Sequence, residues 1–150
     1  MGEAFEIRRA GPGDADTVAA LFDAYRQFYR CEPDLGGARA FVGQRLALAD
    51  SVIFLAEDQD RPLGFTQLYP SFTSAGMARI FILNDLFVAP DARGRGVGTC
   101  LLRRAAEFAH GEGAVRLALS TERTNATAQA LYEREGWQRD EAFLSYTLPL

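Results

Sequence analysis

The chain of 150 residues contains no lysine: all sixteen of its basic side chains are arginines, set against twenty acidic ones for a formal net charge of −4. A P-loop is thereby excluded, because its Gly-Lys-Ser/Thr ending needs a lysine on the phosphates. The arginines are also scattered, whereas a nucleic-acid surface needs clustered cations, so no nucleic-acid partner is expected. Cysteine is scarce. Cys31 and Cys100 are too few for a secreted disulfide scaffold, which points to a reducing compartment. No apolar run reaches eighteen residues, and "MGEAFEIRRA" has neither a basic nor an apolar targeting region. A soluble, cytoplasmic protein without a membrane partner is the expectation. Histidine occurs once, as His110, and reads as a cation at a helix C-terminus. No metal is expected.

The hydrophobic share is 48%, enough at this length for one core, and no linker, repeat or low-complexity tract interrupts the chain, so a single domain over 1–150 is expected. "FEIRRA" alternates as a first strand. From Asp14 onward Val18, Leu21, Phe22, Tyr25, Phe28 and Tyr29 recur at helical spacing until "CEPDLGG" stops them with proline and two glycines. A second helix is predicted over about 38–49. "SVIFLAED" and "RPLGFTQLYPSF" read as a hairpin joined through "DQDRP", with Leu63, Phe65, Gln67 and Tyr69 on one face. "MARIFILNDLFVAP" is apolar enough for a strand covered on both sides, except that Asn84 and Asp85 interrupt it. A third helix carries Val97, Leu101, Ala105 and Phe108, "AVRLALS" is a strand, and "TNATAQALYEREGW" is a short helix capped by Thr124 or Asn125. The tail "WQRDEAFLSYTLPL" is expected to supply one or two closing strands. The order strand, glycine loop, helix, strand between Ile80 and Leu119 is a right-handed βαβ unit, and its loop lies at the carboxyl edge where open sheets receive ligands.

That loop, Arg93 to Thr99, reads R-G-R-G-V-G-T and runs straight into a helix. The first N–H groups of a helix lack internal partners and carry the positive end of its dipole, and glycines let an anion approach them. A phosphate or pyrophosphate site is predicted, with Arg93 and Arg95 adding charge. A dinucleotide fingerprint does not fit, since counting G-x-G-x-x-G from Gly94 ends on Thr99. Arg-x-x-Gly-x-Gly after a Val-x-Pro strand end does fit, through Arg93, Gly96 and Gly98 following "VAP".

With that motif, "LNDLFVAPDARGRGVGTCLL", and with "NATAQALYEREGW" downstream, the chain resembles the GNAT superfamily of acetyl-CoA-dependent N-acetyltransferases over essentially its whole length. The resemblance implies an α+β, sandwich-like fold: a twisted, mixed, mostly antiparallel sheet of six to seven strands, about four helices and a central parallel βαβ unit. It implies acetyl-CoA as donor, with the diphosphate on Arg93, Gly94, Arg95, Gly96, Val97, Gly98 and Thr99, pantetheine along Leu86, Phe87 and Val88, and a further contact from Asn125. A backbone N–H around Leu86 or Phe87 would face the thioester carbonyl. Tyr132 would lie beside the sulfur as leaving-group acid.

Acyl transfer needs a neutral amine, and a primary amine of pKa ~10 is about one part in a thousand neutral at pH 7. Asp85 is the nearest acid to the expected acetyl group, and its place among apolar residues favours a raised pKa suited to accepting a proton. Two alternatives stay open. Asn84 and Asp85 can be a polar pair that satisfies a strand bulge, or Asn84 can hold a water that takes the proton while Asp85 attracts the cation. The stretch resembles the polyamine- and histone-tail-acetylating branch, which carries Glu-Asp where this chain has Asn84-Asp85. Tyr29, Glu32, Tyr69, Asn84 and Asp85 are the candidate acceptor-binding residues, and Tyr25 reads as a core aromatic. The expected reaction is direct transfer to a primary amine of a small molecule, polyamine- or amino-acid-like. A protein or peptide amine, or a non-catalytic acyl-CoA sensor, are the alternatives. Relatives often form dimers, which makes a homodimer compatible with the resemblance.

Overall fold

The computed structural model describes residues 4–150, which group into two compact units, one ending at Leu119 and the other running from Ser120 to Leu150. In the first unit β1 (Glu6–Arg9), β2 (Val52–Asp58), β3 (Arg61–Thr73) and β4 (Ala78–Val88) form an antiparallel meander in chain order. β5 (Leu117–Ala118) joins β4 in parallel after the helix α3 (Val97–Gly111), completing the expected βαβ unit. The two-residue turn between β2 and β3 places both Gln59 and Asp60 at positive φ, the twist that a tight hairpin demands.

Two layers of helix cover this sheet. α1 (Ala15–Phe28) turns Val18 and Leu21 inward, and α2 (Leu35–Leu48) contributes Ala38 and Val42; these pack with Ile53, Leu55, Phe65 and Phe87. On the other face Phe108 of α3 stands edge-on to Phe54 and Phe81, above buried Leu101, Leu102 and Ala105. β2 is accordingly buried on both sides along Val52–Ala56, which is why its sequence is a continuous apolar run rather than an alternation.

Two boundaries differ from expectation. α2 begins at Leu35, before the glycines that were expected to end the preceding helical pattern, because Asp34 accepts from the Gly37 N–H at 2.9 Å and caps a first turn that contains them. The described sheet has five strands, not six to seven. Residues 138–150 belong to no helix or strand, and Phe143, Leu144, Tyr146 and Leu148 are each more than 80% exposed. Apolar spacing in that tail sets the period of the side chains, but a strand also needs a partner ladder. In the second unit α4 (Ala126–Arg134) starts at Asn125, whose side-chain oxygen accepts from the Ala128 N–H at 3.1 Å.

Candidate active site

Phe81 lies against α3, with ring centroids 5.4 Å from Phe108, while Phe87 of the same strand lies against α1, 6.4 Å from Tyr25. Both numbers are odd, so an unbroken strand would put them on one face. The extra residue is Asn84: Leu68 pairs with Leu83 and Gln67 with Asp85, leaving Asn84 without an opposite number. This β-bulge turns Asp85 from the α3 face to the α1 face.

Asp85 is buried there, 2% exposed. Its Oδ2 accepts from Gln67 Nε2 at 2.5 Å and its Oδ1 from Asn84 Nδ2 at 2.9 Å, while Thr66 Oγ1 donates to its carbonyl at 2.7 Å. Burial pushes the carboxyl above the ordinary carboxylate range, and the hydrogen bonds from Asn84 and Gln67 hold part of that rise back. Tyr25 is half-buried against Phe65 and Phe87, and its hydroxyl donates to the Asn84 carbonyl at 3.1 Å. It is therefore more than the core aromatic expected. Tyr69 shares the neighbourhood: desolvation, then the charge of Asp85, push its phenol up to about 12, so it stays protonated at neutral pH.

The remaining acceptor candidates flank this cluster. Tyr29 ends α1 and stands edge-on to Tyr25 at 5.1 Å. Glu32 is exposed on the α1–α2 loop, where its carbonyl accepts from Arg26 Nη1 at 3.0 Å. Buried Asp23 closes that loop by accepting from Arg26 and from the Asp34 N–H, each at 3.0 Å.

The glycine loop has the backbone that its sequence predicts. Gly94 and Gly96 take φ of 82° and 83°, the left-handed region that a side chain disfavours, and Gly96 leads into α3 with no side-chain cap. The amides of Val97, Gly98 and Thr99 occupy the first turn, where intrahelical carbonyls are lacking. Arg93 Nε donates to the Val88 carbonyl at 3.0 Å, and its guanidinium lies 5.9 Å from the rings of Phe28 and Phe87. Arg95 pairs with Asp58 at 3.3 Å.

Beside the loop the sheet opens. Among the described residues β4 pairs with β5 only at Phe81 and Ile82. The Ala89 N–H donates to the Leu63 carbonyl at 2.7 Å, so by alternation Phe87 and Asp85 face β3 while Leu86 and Val88 present their N–H and C=O toward the side where β5 has ended. Gly64, opposite Val88, lets the strands approach: a Cβ there would meet the Phe87 carbonyl oxygen at 2.5 Å.

In the second unit Asn125 caps α4, and the ring of Tyr132, in the same helix, lies 6.0 Å from that of Trp137. Sequence reading missed Gln67 and Ser51 as participants. The one available signal was a polar residue in the apolar row Phe65, Gln67, Tyr69.

Comparison with known proteins gives the family. Residues 18–137 match the Acetyltransferase (GNAT) family. YhfO, described as an uncharacterized N-acetyltransferase of Bacillus subtilis, is 49% identical over 142 residues, 95% of each chain. Streptothricin acetyltransferase of Streptomyces lavendulae is 32% identical over 91% of this chain and 82% of its own. The crystal structure of a probable acetyltransferase gives a TM-score of 0.91 at 42% identity, covering 97% of both chains. The fold is also that of the aminoglycoside N-acetyltransferase AAC(6')-Iy, solved in complex with CoA, with a TM-score of 0.82 at 17% identity over 97% of this chain and 95% of that one. The chain belongs to the GNAT family of acetyltransferases and is an N-acetyltransferase of that type.

Proposed function

We propose that the chain transfers an acetyl group from acetyl-CoA directly to the primary amine of a small molecule, polyamine- or amino-acid-like, with donor and acceptor bound together. The observation that carries this reading is Asp85, a buried carboxylate with a raised pKa, turned by the Asn84 bulge toward the tyrosines of α1 and β3. Streptothricin and aminoglycosides, which give two of the similar enzymes their names, favour a small-molecule acceptor.

The residues fit acetyl-CoA. The left-handed glycines Gly94 and Gly96 and the uncapped amides of Val97, Gly98 and Thr99 suit a diphosphate, with Arg93 and Arg95 beside them. Leu86 and Val88 offer backbone groups to pantetheine, with Phe87 between them, and Asn125 is a further cofactor candidate by resemblance to the family. Acetyl-CoA supplies the activated acetyl group as a thioester.

The chain's own residues then handle protons and charge. Asp85 takes the proton of the ammonium. It lies beneath exposed Asn84, whose Nδ2 is engaged with Asp85, so the Asn84 side-chain oxygen holds the water that hands the proton inward. Tyr69, protonated, together with Tyr29 and Glu32, frames the amine. The Leu86 N–H donates to the thioester carbonyl, the kind of donor whose removal elsewhere costs roughly 3 kcal/mol. By resemblance to the family, Tyr132 is the acid for the departing sulfur; an ordinary phenol, at pKa ~10, gives an ordinary thiolate, at ~8.5, a strong hydrogen bond more readily than its proton.

Release of CoA thiol, followed over a panel of polyamines, amino acids, aminoglycosides and basic peptides, tests the reading. Amine-dependent release with a small acceptor is expected. Tight acetyl-CoA binding without release on any amine would instead identify an acyl-CoA sensor, and release on peptides alone would assign a protein acceptor.

A further inference from the structure

We propose that Gln67 is the positioning residue for Asp85, clamping its carboxylate from the neighbouring strand while Ser51 clamps Gln67. The inference rests on the reading of Asp85 as proton acceptor and deepens it.

Three side chains from separate strand regions make one buried row. Ser51 Oγ, just before β2, donates to Gln67 Oε1 at 2.7 Å, and Gln67 Nε2 donates to Asp85 Oδ2 at 2.5 Å. Gln67 is fully buried and Ser51 is 6% exposed. The carboxylate, which only accepts, takes the nitrogen end of the amide, and the serine hydroxyl, able to donate or accept, donates to the oxygen end. Gln67 faces Asp85 only because of the bulge, which restores cross-strand pairing at that residue after skipping Asn84. A second amide, Asn84 Nδ2, holds the other oxygen. Two points of attachment fix the plane of the carboxylate against rotation.

The neutrality of these donors matters. Among the described residues no cation lies within ion-pair distance of Asp85. The titratable groups that face it are Tyr25 from α1 and Tyr69 from β3, and beyond Tyr69 stand Arg45 of α2 and Asp50, paired with each other at 2.8 Å. An arginine here would hold the carboxylate so firmly in its charged form that it could not take a proton from an amine. Amides offset part of the desolvation that disfavours the anion and leave it basic.

The test titrates Asp85 directly in full-length protein labelled with 13C at the aspartate carboxyl, its resonance assigned by loss in Asp85→Asn. Gln67→Met, of similar length but without a donor, is expected to raise the midpoint by about one to two pH units, the ten- to hundredfold bias of one hydrogen bond to a charged group. Ser51→Ala, which frees the amide without deleting it, is expected to raise it less. Should Gln67→Met fail to fold, Gln67→Leu removes the same donor with a smaller apolar side chain and is expected to raise the midpoint as well. The acid limb of kcat/KM, measured with whichever amine of the panel the wild type accepts, should move with the midpoint. An unchanged midpoint in all folded variants overturns the clamp without touching the reading of Asp85 as base, which Asp85→Asn tests separately. A shifted midpoint with an unmoved rate profile removes Asp85 as the base, and the catalytic role of Gln67 with it.

Discussion

Replacing Asp85 by asparagine removes the proposed proton acceptor at nearly constant shape. Gln67 and Asn84 both direct donors at the carboxylate, so the new NH2 group turns one contact into donor against donor, at about 1 kcal/mol, while the desolvation cost of a buried charge disappears. The fold should therefore survive with little change in thermal midpoint. The rate should not. At pH 7 a primary amine must give up about 4 kcal/mol to be neutral, and general bases elsewhere contribute about 10²–10⁴, so kcat/KM is expected to fall by about 10²–10³. The loss should shrink as pH approaches the pKa of the amine, since free base then arrives unaided. Thiol release measured from pH 6 to about 10 on wild type and variant resolves both features. An Asp85→Asn enzyme within about threefold of wild type at every pH would refute the assignment.

Other consequences concern the donor half and stability. Tyr132→Phe should lower turnover at least about tenfold and leave acetyl-CoA affinity nearly unchanged, read from steady-state rates and calorimetry; equal turnover would remove the leaving-group role. Gly96→Ala adds a methyl group with no atom within 4 Å but at φ +83°, so its cost of about 1–2 kcal/mol in chemical denaturation is pure backbone strain, and acetyl-CoA binding should weaken with it. Because the folded-state pKa of Asp85 is raised, its contribution to stability is fullest below the ordinary carboxylate range and is lost as pH climbs through the folded value. Denaturation of wild type and Asp85→Asn over that window should show the balance shifting toward the asparagine variant as pH rises. A gap independent of pH would mean the carboxyl does not titrate differently on folding.

The helices of the first unit and the glycine loop were legible because each is written locally: helical spacing in α1 and α3, two positive-φ glycines before a helix, and a polar pair breaking an apolar strand. Asp85 stands out for that last reason. Gln67 and Ser51 do not, since their link to Asp85 spans 18 and 16 residues of chain and depends on a register set by Asn84. The helical position of Tyr25 accounts for its ring, which packs against the core, and not for its hydroxyl, which finds the Asn84 carbonyl 59 residues away. α2 was started late because its glycines read as a stop, while the decisive feature was the cap at Asp34. The tail was assigned strands on its apolar pattern, and whether a pattern pairs is a property of its neighbours.

The first amides of α3 are proposed to grip the diphosphate of the donor. Calorimetry of the purified, folded protein with acetyl-CoA and with S-acetylpantetheine, which carries the same thioester without the diphosphate, tests it most directly. Acetyl-CoA is expected to bind at least about a hundredfold more tightly. Equal affinities, or no uptake of acetyl-CoA, would contradict the account.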